Sequence, residues 1–487
     1  GYMKPLEKIA GKSAGILLNQ VLKNPGCRNI VLKQAEKLIY KNTMKEIAYP
    51  EAVREEVFIA KRNLLYSLNR ALDKASVAPK VREKLLKNLA GKILIRENKA
   101  RKEFISKYKT FPPGFLTISP GATCNLKCVG CYATSSDSEK TNMNFETFSR
   151  IIEEKEKLWG NYFSVISGGE PFLWKSGDKN IFDVFEKFPD EYFMVYTNGT
   201  LIDKKTAARL AELGNVTTAI SIEGFEEATD SRRGKGTYRK ILQAFANLRE
   251  AGVPFGVSLT ATRKNAEVVM SEKFMDFCFN QNGAIYGWIF QYMPIGRAYT
   301  MDLVVTPEQR LWMYHQEQYF MRKKRLFFLD FWNGGPMSYG CLAGGRKGGY
   351  FYINWNGDIS PCVFFPYSRA NIKDIYKSGE NLNAILFSDF FKDIRQWQKD
   401  YGFVQDYNKK NNKVLGNWLR PCPMRDHYEV ALDVINKHNA NPIDLLAADA
   451  MHDCEYHKMM IEYGGRVGET FKNIWTEEYL KKEKSAA

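Results

Sequence analysis

The stretch Thr123-Cys124-Asn125-Leu126-Lys127-Cys128-Val129-Gly130-Cys131-Tyr132 sets three cysteines on one short loop, with the spacing C-x3-C-x2-C. Thiolates are the soft ligands of iron–sulfur clusters, and a 4Fe–4S cube asks for one ligand per iron. Three thiolates leave one iron open, and an open metal position lets a bound molecule be activated. Two plainer readings compete. Zinc sites pair C-x2-C with a second such pair or with H-x3-H, and no second C-x2-C stands in the chain. Disulfides belong to secreted chains, and the N-terminus shows no signal-peptide pattern.

Just ahead of the loop, Phe115–Ser119 is a short apolar run. Five more follow: Tyr162–Ser167, Tyr192–Thr197, Thr218–Ile222, Pro254–Thr260 and Ala284–Gln291. Between them lie amphipathic stretches such as Asn144–Trp159, Lys204–Leu213 and Arg239–Ala251. Repeated strand–helix units predict an α/β fold, a parallel sheet or partial barrel, with its chemistry at the C-terminal ends of the strands. The three-cysteine loop directly follows the first strand.

Phe111-Pro112-Pro113-Gly114 marks a boundary before this core. Residues 1–110 read as a basic helical domain, 111–325 as the core and 326–487 as a third region. Helical spacing runs through Leu6, Ile9, Ala10, Leu17, Val21 and Leu22, then through Val57, Leu64, Leu65, Leu68 and Leu72. A further stripe is Val81, Leu85, Leu89 and Ile93, with Lys80, Lys84, Lys87 and Lys92 outside it. The net charge of +16 is concentrated here: residues 1–110 hold 25 Lys+Arg against 10 Asp+Glu, and the rest of the chain is close to neutral. A helix over about Thr306 to Lys324 leads into the aromatic third region, where Tyr407–Lys413 reads as a solvated loop. No apolar run approaches the ~18 residues of a membrane span. Of the nine cysteines, Cys27 and Cys278 read as buried core residues.

The cysteine loop resembles the cluster loop of the radical S-adenosylmethionine (radical SAM) superfamily, and further matches follow in order. Gly168-Gly169-Glu170-Pro171 ends the second strand and resembles the motif that binds the amino group of SAM. Tyr196-Thr197-Asn198-Gly199-Thr200 ends the third. Ser221-Ile222-Glu223-Gly224 ends the fourth and resembles a Ser-Ile-Asp-Gly run that reaches the ribose, with Glu223 in place of the usual Asp. Arg233 matches the arginine that pairs with the SAM carboxylate. Pro294 and Gly296 fall where a family loop packs near adenine. An aromatic residue usually precedes the third cysteine; here Gly130 does, and Tyr132 is the expected adenine contact. The resemblance implies a partial (β/α)6 barrel. It also implies reductive cleavage of SAM to a 5′-deoxyadenosyl radical, which abstracts hydrogen from an unactivated C–H bond.

Cys341, followed by Gly357-Asp358-Ile359-Ser360-Pro361-Cys362, resembles the opening of the SPASM/twitch extensions that carry auxiliary clusters. Cys422 and Cys454 lie downstream. The further C-x2-C-x5-C-x3-C block of a full SPASM domain is absent, so the resemblance implies one auxiliary 4Fe–4S cluster. Its ligands would be Cys341, Cys362 and Cys422, with Cys454, His427 or a substrate atom in the fourth position.

The substrate is less defined. The basic helices read as a solvated face or as an element attracted to an anionic membrane surface. Nucleic acid is disfavoured, since no RNA-binding module or zinc knuckle is present. Aromatic residues Phe327, Phe328, Phe331, Trp332, Tyr350, Phe351, Phe364 and Phe365 line an apolar channel or fill core. Modification of a membrane lipid chain, as in carbon–carbon coupling, is the leading expectation; the alternative is a peptide- or protein-modifying maturase of SPASM type. The expected electron donor is of ferredoxin or flavodoxin type, and the expected place cytoplasmic, at the inner face of the membrane.

Overall fold

The computed structural model describes residues 24–73, 77–88, 98–402 and 416–480. The Leu6–Leu22 stripe, Leu89, Lys92, Ile93 and the Tyr407–Lys413 loop lie outside the described residues. Ten strands form the main sheet: β1 Leu116–Ile118, β2 Phe163–Ile166, β3 Tyr192–Thr197, β4 Val216–Ser221, β5 Phe255–Ala261, β6 Tyr286–Gln291, β7 Phe328–Asp330, β8 Tyr352–Ile353, β9 Asp358–Ser360 and β10 Ala370–Asn371. Their order is β10-β9-β8-β1-β2-β3-β4-β5-β6-β7. From β8 to β7 every neighbouring pair is parallel, and β8, β9 and β10 pair antiparallel.

The six anticipated strands are all present as β1–β6, adjacent in chain order as a partial barrel requires. The sheet does not stop at residue 325. β7 extends one edge, and β8 returns to the other edge to pair Thr117 with Tyr352. Tyr350–Trp355 alternates and leads into Asn356-Gly357, which predicts the β8–β9 hairpin that the structure shows; β7 and β10, three and two residues long, are too short for alternation to announce them.

The helices that position the site are α1 Pro25–Met44, α2 Glu51–Asp73, α3 Pro79–Lys84, α4 Phe145–Trp159, α5 Lys204–Leu213, α6 Glu226–Arg233, α7 Thr237–Ala251, α8 Pro307–Arg322 and α9 Cys454–Ile474. α4 shows how the crossovers are built. The Asn144 side chain accepts from the Thr147 N–H, Phe148, Ile151, Ile152 and Trp159 face the sheet, and Gly160 ends the helix at φ 58°. Each crossover buries its apolar stripe on the sheet, which leaves the strand ends free for function.

The N-terminal helices contact the segments that lead into the strands. Ala78 N–H donates to Gly252 O ahead of β5. Lys84 Nζ and Asn88 Nδ2 donate to Pro189 O ahead of β3. Asn98 Nδ2 reaches Gly160 O ahead of β2, and Asn63 Nδ2 reaches Leu326 O ahead of β7. These contacts set the described segments from Asn63 to Asn98 against the N-terminal end of the sheet, while the α1–α2 turn reaches the third region, where Tyr49 stacks on Tyr339 and Glu46 accepts from the Tyr339 hydroxyl.

Cys278 is buried, as expected, but Cys27 is exposed. α1 packs through Arg28, Leu32 and Thr43, and Cys27 falls on its outer side with Ile30 and Leu38.

Candidate active site

The cysteine loop crosses the C-terminal ends of β1–β6 and one large cavity opens beneath it. That cavity, of about 290 Å³, is lined by Cys124, Cys128, Cys131 and Tyr132 from the loop. Gly168, Gly169, Asn198, Ser221 and Arg233 line it from the strand ends. Its body is apolar, with Phe115, Phe163, Val165, Met194 and Phe290 among the walls. Phe331, Tyr350 and Phe364 of the third region join the lining, while Phe328 and Phe351 are fully buried core.

The loop is fastened from all sides. Cys124 N–H donates to Ser136 O at 3.0 Å, and Val129 N–H to Arg232 O at 3.0 Å. Arg297 donates through Nη1 to Cys128 O at 2.7 Å and through Nη2 to Ser135 O at 2.5 Å. Gly130 stands at φ +66°, and a Cβ there would come within 2.5 Å of Tyr292. The ring of Tyr292 thus fills the space a side chain before the third cysteine would need. Gly296, at φ +69°, lets the segment after β6 lie against Cys131 O and Tyr132 O.

Gly168 and Gly169 bring β2 against the same loop. Gly169 N–H donates to Gly121 O at 2.9 Å and Glu170 N–H to Thr123 O at 2.8 Å. Glu170 and Pro171 stand behind the cavity wall. The Glu170 carboxylate accepts from Thr197 Oγ1 at 2.8 Å and from Asn198 N–H at 2.9 Å, tying β3 to β2. Burial pushes its carboxyl up to about 6, against these hydrogen bonds. Asn198 donates through Nδ2 to Asn125 Oδ1 at 2.9 Å.

Glu223 also stands behind the wall, with its side chain fully buried. Its Oε1 accepts from Arg232 Nη1 at 2.7 Å and from Arg233 Nη2 at 2.6 Å. Burial works against the Arg233 charge, but Glu223 holds the guanidinium above its ordinary value. Arg233 Nη1 lies 3.9 Å from Cys128 Sγ. Arg233 and the cysteine loop thereby share one corner of the cavity. The Tyr132 hydroxyl bonds Ser167, and Pro294 O accepts from the Tyr456 hydroxyl of α9.

Cys341, Cys362 and Cys422 line a second, smaller cavity with Trp332, Phe364, Phe365 and Met424. Cys362 Sγ accepts from the Phe364 N–H at 3.4 Å. Cys124 does the same with Leu126. Burial pushes the Cys124 and Cys362 thiols up to about 12, so a thiolate at either place needs a cation to balance it. Among the described residues no three His, Cys, Asp or Glu side chains converge closely enough for a single metal ion. The thiols instead surround two spaces, and donor sets of sulfur alone suit iron–sulfur clusters.

The structure does not bring Cys454 to this second cavity. It is exposed at the start of α9, whose first turn is turned toward Tyr299 through Asp453. His427 is buried but its Nε2 lies 3.0 Å from Arg420 O, and it does not line the cavity either. Sequence reading missed Arg232, Arg297 and Tyr292, and the inward positions Ser258, Thr260, Trp288 and Phe290. Alternation along β5 and β6 is the signal that marks those four positions.

The radical SAM superfamily profile matches residues 118–265. The Fe-coproporphyrin III synthase of Methanosarcina barkeri is 32% identical over 165 residues, covering 32% of this chain but only 41% of that protein. The mycofactocin maturase MftC of Mycolicibacterium smegmatis is 28% identical over 303 residues, covering 59% of this chain and 73% of that one. A crystal structure of Streptococcus suis SuiB bound to precursor peptide SuiA aligns with TM-score 0.49 and 20% identity, over 60% of this chain and 70% of that one. The segment from β1 to β5, with the loop that carries the three thiols, is thus similar to the radical SAM superfamily.

Proposed function

We propose that Cys124, Cys128 and Cys131 hold a 4Fe–4S cluster at the mouth of the large cavity, that SAM binds beside it, and that the enzyme activates an unreactive C–H bond of a peptide side chain. The observation that carries this reading is one cavity shared by three thiols, four strand ends and Arg233. When bound, cluster and SAM supply the electron and the 5′-deoxyadenosyl radical that together break such a bond. The chain's own residues do the rest. Arg233, fixed by Glu223, offers a positive charge for the SAM carboxylate. Gly168 and Gly169 offer backbone at close approach, and the aromatic walls exclude water from the reacting carbon. Cys341, Cys362 and Cys422 hold an auxiliary cluster that relays electrons, with a ferredoxin- or flavodoxin-type protein as donor.

The long match to a maturase favours the peptide reading over the lipid one. Basic segments that suggested lipid, around Lys84 and Asn98, pack on the residues leading into β3 and β2, away from the cysteine loop. The apolar cavity suits an aliphatic or aromatic side chain entering the barrel. A second reading, a tetrapyrrole substrate, has one observation in its favour: the relative named for Fe-coproporphyrin III is 32% identical over 165 residues.

Reconstituted protein is expected to hold about eight irons per chain, two cubes' worth, and to convert SAM to 5′-deoxyadenosine under dithionite. The Cys124/Cys128/Cys131→Ala variant should not; SAM cleavage there would overturn the assignment. Deuterium transfer into 5′-deoxyadenosine from perdeuterated peptide pools, against iron-coproporphyrin and anionic phosphatidylglycerol vesicles, separates the substrates. Transfer from lipid or porphyrin alone would refute the peptide reading.

A further inference from the structure

The second cavity has a feature that three thiols alone do not require. Arg346 stands behind the Ser338–Leu342 segment, and its N–H groups meet only main-chain carbonyls among the described residues. Nε donates to Cys341 O at 2.5 Å, and Nη1 to Lys347 O at 2.9 Å. Nη2 reaches Ser338 O, Gly340 O at 3.2 Å and Tyr339 O at 3.4 Å. Among the described residues no carboxylate pairs with it, and its Nε is bonded to the carbonyl of Cys341 itself. The other charges at the cavity differ: Arg310 is paired with Asp426, and Arg425 lies 5.0 Å over the Trp332 ring.

The carbonyls have turned toward Arg346 because Tyr339 and Gly340 adopt φ of 57° and 94°. In a trans peptide the C=O and N–H point in opposite directions. The N–H groups of Cys341 and Leu342 therefore face away from Arg346, on the side where Gly340, Cys341 and Leu342 line the cavity. Neither N–H has a partner among the described residues. These two unpartnered amides therefore face the space that Cys341, Cys362 and Cys422 surround, where oriented N–H groups favour an anion. A half-buried cation whose N–H groups meet only neutral carbonyls favours an anion nearby. A cluster held by three thiolates is such an anion, and it gains one more negative charge on reduction.

We propose that Arg346 is a positioning residue of the second thiol cavity, holding the Cys341 loop with its amides inward and supplying the positive charge that raises the reduction potential of a cluster bound there. This rests on the reading of Cys341, Cys362 and Cys422 as cluster ligands. In the Cys124/Cys128/Cys131→Ala background, which isolates that cluster, the parent, Arg346→Lys and Arg346→Gln are reconstituted with iron and sulfide. They are then titrated with dithionite and followed by electron paramagnetic resonance. The expected result is about four irons in the parent, a more negative midpoint potential for the Gln variant, and a smaller shift for Lys. A Gln variant with full iron and the parent's potential overturns the proposal. Should Gln hold no iron, Lys decides: iron retained near the parent's potential supports the charge, whereas iron lost in both variants marks Arg346 as a mere strut and overturns it. No iron in the parent would instead overturn the cluster reading itself, and this proposal with it.

Discussion

Gly169 is where one missing methyl group lets two segments meet. A Cβ there would stand 2.2 Å from Thr123 O and 2.6 Å from Ala122 O, both main-chain atoms of the cysteine loop. Backbone cannot move aside as a side chain can, so Gly169→Ala should push the loop away, at a cost of about 1–3 kcal/mol. The expected outcome is loss of the first cluster's iron with the second retained, checked by iron content and by the spectrum of the remaining cluster. At this scale the sequence was partly legible. Cys124, Cys128 and Cys131 could be read together because one contiguous loop carries them. Glu223 could be placed at a strand end but not given its partners, because its link to Arg232 and Arg233 is made across the turn into α6. Cys454 could not be placed at all, since its surroundings depend on how α9 docks.

Among the elements, α8 deserves its place by one residue. Arg310 is fully buried and grips the Cys422 segment: Nη1 lies 2.6 Å from Asp426 Oδ1 and Nη2 donates to Leu419 O at 2.9 Å. Asp426 Oδ2 in turn accepts the Cys422 N–H at 3.1 Å. Burial opposes the Asp426 charge, but Arg310 keeps its carboxyl below the usual range. Removing one partner of such a pair strands the other, at about 3–5 kcal/mol. Arg310→Met should therefore lose that much in a denaturant titration, and its iron should fall from about eight to about four per chain. The double variant Arg310→Met/Asp426→Leu should recover much of the stability without the second cluster's iron. None of this was visible beforehand, because a helix such as α8 announces its apolar stripe and not the purpose of one arginine on its buried face. The helices and strands of the core were legible through their period, and the β8–β9 hairpin through the alternation of Tyr350–Trp355 and its Asn356-Gly357 turn; β7 and β10 were not, being shorter than any period.

Across the whole molecule, α2 and the C-terminal end of the described residues meet at Glu56. Its carboxylate, 2% exposed, accepts from the Tyr479 hydroxyl and from Gln318 Nε2 at 3.2 Å, joining α2, α8 and the C-terminal end. Burial pushes this carboxyl up to about 7 from 4.5. A raised carboxyl binds its proton more tightly in the folded chain than in the unfolded one. Its contribution is full below about pH 4.5 and is lost as pH rises through about 7, up to ~3 kcal/mol. Glu56→Gln should flatten the fall in melting temperature between pH 5 and 8, measured on the metal-free protein; an unchanged profile would refute the role. The pairing of Thr117 with Tyr352 has a different sort of consequence. β1, the strand that launches the cysteine loop, gains its second neighbour only from a segment made long after it. A nascent chain that stops short of β8 carries β1 as an open sheet edge, prone to wrong partners. Iron delivered before β8 is made would meet a half-framed loop.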